Sequence, residues 1–164
     1  VWVSAIGIAL IAFGLSGAAV LVNEPLADYF VQFSRPLIYS TAIPPALAYT
    51  LKEAVDLIEK GDNLRNRLAD NIAYYRQEMA SLDLAQWNVT LVESTTAIQP
   101  LIIGESQRAL EIAEKMQSQG IWVTAIRPPT VPPNSARLRI TLTAKHQQED
   151  IDALVAAFKE ALGE

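Results

Sequence analysis

The spacing of apolar residues changes several times along the chain, and each change marks a predicted element. Val1 to Val22, VWVSAIGIALIAFGLSGAAVLV, contains no charged residue. Such a run is long enough to cross a bilayer core of about 30 Å as a helix, yet strands buried on both faces read the same way. Gly7, Gly14 and Gly17 interrupt it, and the first basic residue after it is Arg35. It therefore lacks the flanking positive charge that orients a membrane span. It also lacks the basic n-region and the cleavage site of a signal peptide. From periodicity alone, a membrane span and a strand-turn-strand both remain open.

After Asn23-Glu24-Pro25, residues Leu26, Tyr29, Phe30 and Phe33 recur at near-helical spacing and predict a short helix closed by Arg35-Pro36. Pro44-Pro45 can begin a longer helix, with Leu47, Leu51, Val55 and Ile58 on one face and Gly61 as its left-handed stop. Leu64, Leu68, Ile72, Tyr75, Met79 and Leu82 step by three or four and predict a further helix packed on the one before it. The period then shortens. Ala97 to Ile103 reads as a strand, Ser106 to Gln119 as a helix ending at Gly120, and Ile121 to Ile126 as another strand, together a β-α-β unit. Arg137 to Leu142 alternates basic with apolar residues, as a half-buried strand does. The last helix turns Ile151, Leu154, Val155, Phe158 and Leu162 inward, with Thr143 placed to cap it. Between the last two strands lies PPTVPPN, stiffened by four prolines, where Asn134 can take a positive φ at low cost.

Composition narrows the function classes. With 51% hydrophobic and 19% charged residues the chain folds, and its 164 residues suffice for one good core. A formal charge of -5 with scattered Lys and Arg gives no footprint for nucleic acid. The absence of cysteine excludes disulfides, thiolate nucleophiles and Cys-ligated zinc, and it suits a cytoplasmic location. His146 is the only histidine, so no metal site built on several histidines is available.

The most suggestive polar group is Arg127, Thr130, Arg137 and Arg139, brought together by the stiff loop and the strand after it. Alternation puts Arg137 and Arg139 on one face, where a guanidinium can grip a carboxylate with two parallel hydrogen bonds. Equally, such arginines solvate the open face of a sheet. His146, three residues after Thr143, reads as a helix-start residue, and Glu149, Asp150 and Asp152 suit the dipole of that helix. Ser40 and Thr41 precede Pro44-Pro45 in an arrangement that can hold a phosphate or simply cap a helix.

The segments AFGLSGAAVL, FSRPLIYSTAIPP, TAIQPLIIG, IWVTAIRPPTVPPNSARLRITLTAKH and EDID occur in the same order in the pyridoxal-phosphate-dependent α-oxoamine synthases. Over nearly its whole length the chain resembles the C-terminal part of that family. The resemblance implies an α/β fold of fold type I. Residues 41–164 would form the small C-terminal domain, a mainly antiparallel three-stranded sheet packed on helices. Residues 1–40 would be a remnant of the large cofactor domain plus an interface segment, with Val1 to Val22 as two buried strands rather than a membrane helix. Family members are acyltransferases that condense an amino acid with an acyl thioester and release carbon dioxide. AIRPPTVP and RLRITLTA are most like the branch that joins alanine to pimeloyl-CoA, or its carrier-protein equivalent, in biotin biosynthesis.

Roles carry over residue by residue. The resemblance implies that Arg139 holds the amino-acid carboxylate, that Thr130 contacts substrate and that Arg127 lies beside it. It implies that Ser40 and Thr41 reach the cofactor phosphate across a homodimer interface, and that Ser16, Gly17 and Ala18 lead away from the cofactor lysine. One position departs from the pattern. Where the family reads approximately Thr-x-Gly-Lys-x-x-Gly, this chain has Ile8 to Gly14 with Ile11 at the lysine position. An aliphatic side chain cannot form a Schiff base, so no catalytic residue and no covalent pyridoxal phosphate are expected, and the chain alone is expected to be inactive. Two further readings are a non-catalytic module that pairs with a full-length subunit and a domain anchored in a membrane by residues 1–22.

Overall fold

The computed structural model describes residues 6–9 and 18–163, the backbone alone for 6–9 and 18–21. The chain divides into two compact units, Val1–Gly61 and Asp62–Glu164. The division falls after Gly61, between the two long predicted helices, so each helix belongs to a different unit.

In the first unit, β1 (Ile6–Ala9) pairs antiparallel with β2 (Ala18–Leu21), Ile6 opposite Leu21 and Ala9 opposite Ala18. The apolar run thus takes extended backbone at these residues, and among the described residues no helix is long and apolar enough to cross a membrane. Asn23 caps α1 (Glu24–Phe33), its side chain accepting from the Leu26 N–H at 3.3 Å. Within α1, Tyr29 stacks on Phe33 with ring centroids 4.7 Å apart. Arg35-Pro36 opens a second short helix, α2 (Arg35–Ile38), because a proline at a first helical turn forfeits no intrahelical bond. Pro44 and Pro45 begin α3 (Pro45–Glu59) as the spacing predicts. Its end differs from expectation. Lys60 is the C-cap with φ -86°, and Gly61 does not take the left-handed conformation expected of it. No residue of α1, α2 or α3 is buried.

The second unit is a four-stranded antiparallel sheet in the order β3 (Thr90–Leu91), β4 (Ile98–Gly104), β6 (Ala136–Thr141), β5 (Thr124–Ile126). The expected antiparallel sheet on helices is what forms, with the two-residue β3 added at one edge. The β-α-β unit is a split one: β4, α5 (Ser106–Ser118) and β5 follow each other in sequence, but β6 lies between the two strands and runs opposite to both. Gly104 carries φ +89° beside the bulge where the β4–β6 register shifts, a conformation glycine adopts without strain.

One face of this sheet is covered. Leu101 and Ile103 from β4 and Ala136, Leu138 and Ile140 from β6 join Ile72, Tyr75 and Met79 of α4 (Asp62–Ala80), Ala109, Ile112 and Met116 of α5, and Ile151, Leu154, Val155 and Phe158 of α6 (Gln148–Leu162) in a single core. The stepping pattern in α4 holds from Leu68 onward, whereas Leu64, a turn nearer the helix start, is 55% exposed. Thr143 is not the cap of α6. Gln147 is the N-cap, and its backbone N–H donates to Asp150 at 2.9 Å in a capping box. Thr143 instead takes the Lys145 N–H on its hydroxyl, while His146 Nδ1 accepts from the Thr143 N–H at 3.2 Å, so a tight turn separates β6 from the helix.

Candidate functional site

The opposite face of the sheet carries the candidate site. Side chains of paired antiparallel residues point to the same side, so the partners of Arg139 and Arg137 can be read from the register. Arg139 stands between Pro100 on β4 and Thr124 on β5, and Arg137 stands between Ile102 and Ile126. Burial follows the alternation: Ala136, Leu138 and Ile140 are buried in the core, Arg137 is half-buried, and Arg139 is exposed. Ile98, Pro100, Ile102 and Ile126 are half-buried and make an apolar floor around the arginines.

The two arginines differ in freedom. Arg137 donates through Nε to the Ser135 carbonyl at 3.2 Å and through Nη2 to the Ser135 hydroxyl at 3.4 Å, which ties it to the end of the proline loop. Arg139 has no hydrogen-bond or ion-pair partner among the described residues. Its guanidinium stands free on the open face, able to receive a carboxylate in the parallel two-bond geometry that arginine favours.

Arg127 and Thr130 lie in the loop that joins β5 to β6, and both are exposed. The loop turns at Arg127, whose carbonyl accepts from the Thr130 N–H at 3.1 Å, and Asn134 has φ 58° as the sequence predicts. The loop returns directly into β6, and Arg127 follows Ile126, the partner of Arg137. Loop and strand therefore bring Arg127, Thr130 and Arg137 to one end of the β5–β6 pair, with Arg139 further along the strand.

Ser40 and Thr41 sit in the first unit, after α2, and both are exposed. The Ser40 hydroxyl donates back to the Pro36 carbonyl, leaving its lone pairs but not its proton for a ligand, while Thr41 has no partner for its hydroxyl among the described residues. Ile11, together with Ser16 and Gly17, lies outside the described residues. An aliphatic side chain such as that of Ile11 offers no amine to pyridoxal phosphate.

A buried polar network fixes β4 beneath the site, and sequence reading missed it. Gln99 is fully buried. It accepts from Arg76 Nη1 at 2.9 Å and donates to the carbonyls of Ser94 at 3.2 Å and Thr96 at 2.7 Å. Arg76 also reaches the Val92 carbonyl at 3.1 Å, so the turn before β4 is tied to α4. A lone amide inside an apolar strand was the only available signal, because its partners come from distant segments.

Comparison with known proteins places the chain in a class. Residues 12–158 match the profile of aminotransferases of class I and II, and the chain belongs to that family. It resembles the C-terminal part of 8-amino-7-oxononanoate synthases in particular. The enzyme of that name from Serratia proteamaculans is 61% identical over 144 residues, 88% of this chain and 36% of the relative. That from Cronobacter sakazakii is 60% identical over 89% of this chain and 37% of its own length. The chain thus spans little more than a third of the length of these relatives. The solved 8-amino-7-oxononanoate synthase of Francisella tularensis superposes with a TM-score of 0.77 at 28% identity, covering 95% of this chain and 45% of that one. Serine palmitoyltransferase of Sphingomonas wittichii superposes at 0.81 with 21% identity over 96% of this chain and 39% of its own, a likeness of fold. The fold is that of fold-type I pyridoxal-phosphate enzymes, and the family implies that cofactor.

Proposed function

We propose that this chain carries the amino-acid carboxylate site of an 8-amino-7-oxononanoate synthase-like enzyme, with Arg139 as the grip and Arg127 and Thr130 at the rim. The observation that carries the reading is the free guanidinium of Arg139 on the open face of the sheet, in a chain 61% identical to a synthase of that name. In an intact enzyme of this kind the substrates would be L-alanine and pimeloyl-CoA or its carrier-protein equivalent, in biotin biosynthesis. Pyridoxal phosphate would supply an electron sink for the amino-acid carbon, with Ser40 and Thr41 as candidate contacts for its phosphate. The chain's own residues would bind and orient the carboxylate. A cytoplasmic place suits a cysteine-free chain.

The chain on its own is proposed to be inactive, since Ile11 offers no amine for the cofactor. The test is direct: mix the chain with pyridoxal phosphate, L-alanine and pimeloyl-CoA and follow ketone formation by mass spectrometry. Turnover would overturn the inactivity. Borohydride trapping followed by peptide mapping should find no single stoichiometric pyridoxyl adduct.

A second reading is favoured by a specific observation. Tyr29, Phe33, Leu37, Ile38 and Tyr39 are exposed in the first unit, so the stretch from Tyr29 to Pro45 is proposed to pair with a second copy or with a full-length subunit. Co-elution of this chain with a full-length synthase on size exclusion is expected. Separate elution of the two at micromolar concentration would remove this reading.

A further inference from the structure

We propose that Thr124 is a second anchor of the carboxylate held by Arg139, its hydroxyl lying beside the guanidinium on the open face of the sheet. This rests on the reading of Arg139 given above and adds to it the side from which a small carboxylate is gripped.

The register supplies the position. Thr124 is the β5 partner of Arg139, and directly paired residues hold their Cβ atoms about 4.5–5.5 Å apart on one face. Burial assigns that face independently. Ala125 and Leu138 are also paired, Leu138 buried in the core and Ala125 packed against it, so Thr124 and Arg139, one residue removed on each strand, turn away from it. Both are exposed.

The two flanks of Arg139 differ in chemistry. On the β4 side stands Pro100, whose carbonyl accepts from the Val92 N–H at 3.0 Å toward β3. Its backbone therefore turns away from β6, and Pro100 and Arg139 form the closer, non-hydrogen-bonded kind of pair. That flank offers a ring without a donor, bordered by Ile98 and Ile102. The β5 flank offers a hydroxyl with no hydrogen-bond partner among the described residues. Arg137, the next cation on this face, is already bonded to Ser135.

Of the two residues paired with Arg139 across the sheet, Thr124 alone thus brings an uncommitted donor. A carboxylate seated on Arg139 keeps lone pairs that the guanidinium does not use, and a hydroxyl on the β5 flank can donate to one of them. The apolar β4 flank biases the ligand toward Thr124.

The test titrates the full isotope-labelled chain with L-alanine at constant ionic strength, following the Arg139 side-chain N–H and the Thr124 amide by NMR, with L-alaninamide as the ligand that lacks a carboxylate. Saturable shifts with L-alanine alone are expected. Thr124→Val should weaken the affinity about three- to tenfold, as loss of one hydrogen bond to a charged group does at an exposed site, and Thr124→Ser should restore it. Arg139→Gln should abolish the shifts. If Arg139→Gln abolishes binding and Thr124→Val leaves it unchanged, the role of Thr124 is overturned and the carboxylate site stands. If Arg139→Gln binds like the parent, or the parent shows no saturable shift, the carboxylate reading falls and takes Thr124 with it.

Discussion

Helices α1 and α3 in the first unit and α5 and α6 in the second all carry apolar residues on one face, yet only the second pair buries them. Phe33 at the end of α1 is 65% exposed and Val55 of α3 is 43% exposed, whereas Phe158 of α6 is 1% exposed. The helices of the second unit lie against a sheet face that supplies Leu101, Ile103, Leu138 and Ile140, and an apolar stripe becomes core only when another layer covers it. Periodicity identifies which side of a helix is able to be buried. Whether it is buried depends on a neighbour that the periodicity of that helix does not name.

This contrast can be broken by paired substitutions. Phe158→Ala should cost about 3–5 kcal/mol, the usual loss for a large aromatic removed from a packed core, while Phe33→Ala should change stability by no more than about 0.5 kcal/mol. Urea unfolding followed by circular dichroism measures both, and equal costs would erase the distinction between the units. Next in size is Gln99→Leu, which keeps the volume but strips partners from the carbonyls of Ser94 and Thr96 and from Arg76. A loss of about 2–3 kcal/mol is expected from stranding buried polar groups. A neutral result would mean that the network is dispensable to the position of β4.

The start of α6 gives a smaller effect. Asp150→Ala breaks the capping box and should cost about 1 kcal/mol, whereas Thr143→Ala should cost less than half as much. The reverse order in thermal melts would return the cap to Thr143.

At Tyr75 the expected effect is neutral or favourable. Its hydroxyl is buried with no hydrogen-bond partner among the described residues, and burial pushes its pKa far above the ordinary value of 10.0. Removing it in Tyr75→Phe should be neutral or stabilising by up to about 1 kcal/mol, since an unpaired buried hydroxyl is a cost. The pH dependence carries a definite sign. An unfolded chain releases this proton near pH 10 and the folded chain only well above it. Retention of this proton therefore leaves folding stability unchanged below pH 10 and lowers it as pH rises further. Between pH 9 and pH 11.5 the urea midpoint of the parent should fall more steeply than that of Tyr75→Phe, and parallel slopes would exclude Tyr75 as the cause.

Much of the second unit was legible from local chemistry. The helix over Ser106–Ser118, the strand beginning at Ile98 and the left-handed Asn134 follow from spacing, turn residues and backbone sterics. The shortfalls have local causes too. Thr143 and Gln147 both stand just ahead of α6, and only the backbone path between them decides which one caps the helix. For the candidate site, the sequence places Arg137 and Arg139 on one face through the two-residue repeat of a strand. It is silent on Thr124 and Pro100, which lie far from Arg139 in the chain and meet it through sheet register.

What this sequence determined by itself is therefore what neighbours along the chain can settle: helix and strand periods, proline-set helix starts and the shared face of two arginines. Tertiary structure alone decided that β6 enters between β4 and β5, that Arg137 is spent on Ser135 while Arg139 stays free, and that a buried glutamine anchors the turn before β4. Hydrogen bonds between strands and across the core join residues that no local rule connects, and those bonds, more than propensity, decide which polar groups remain available for a ligand.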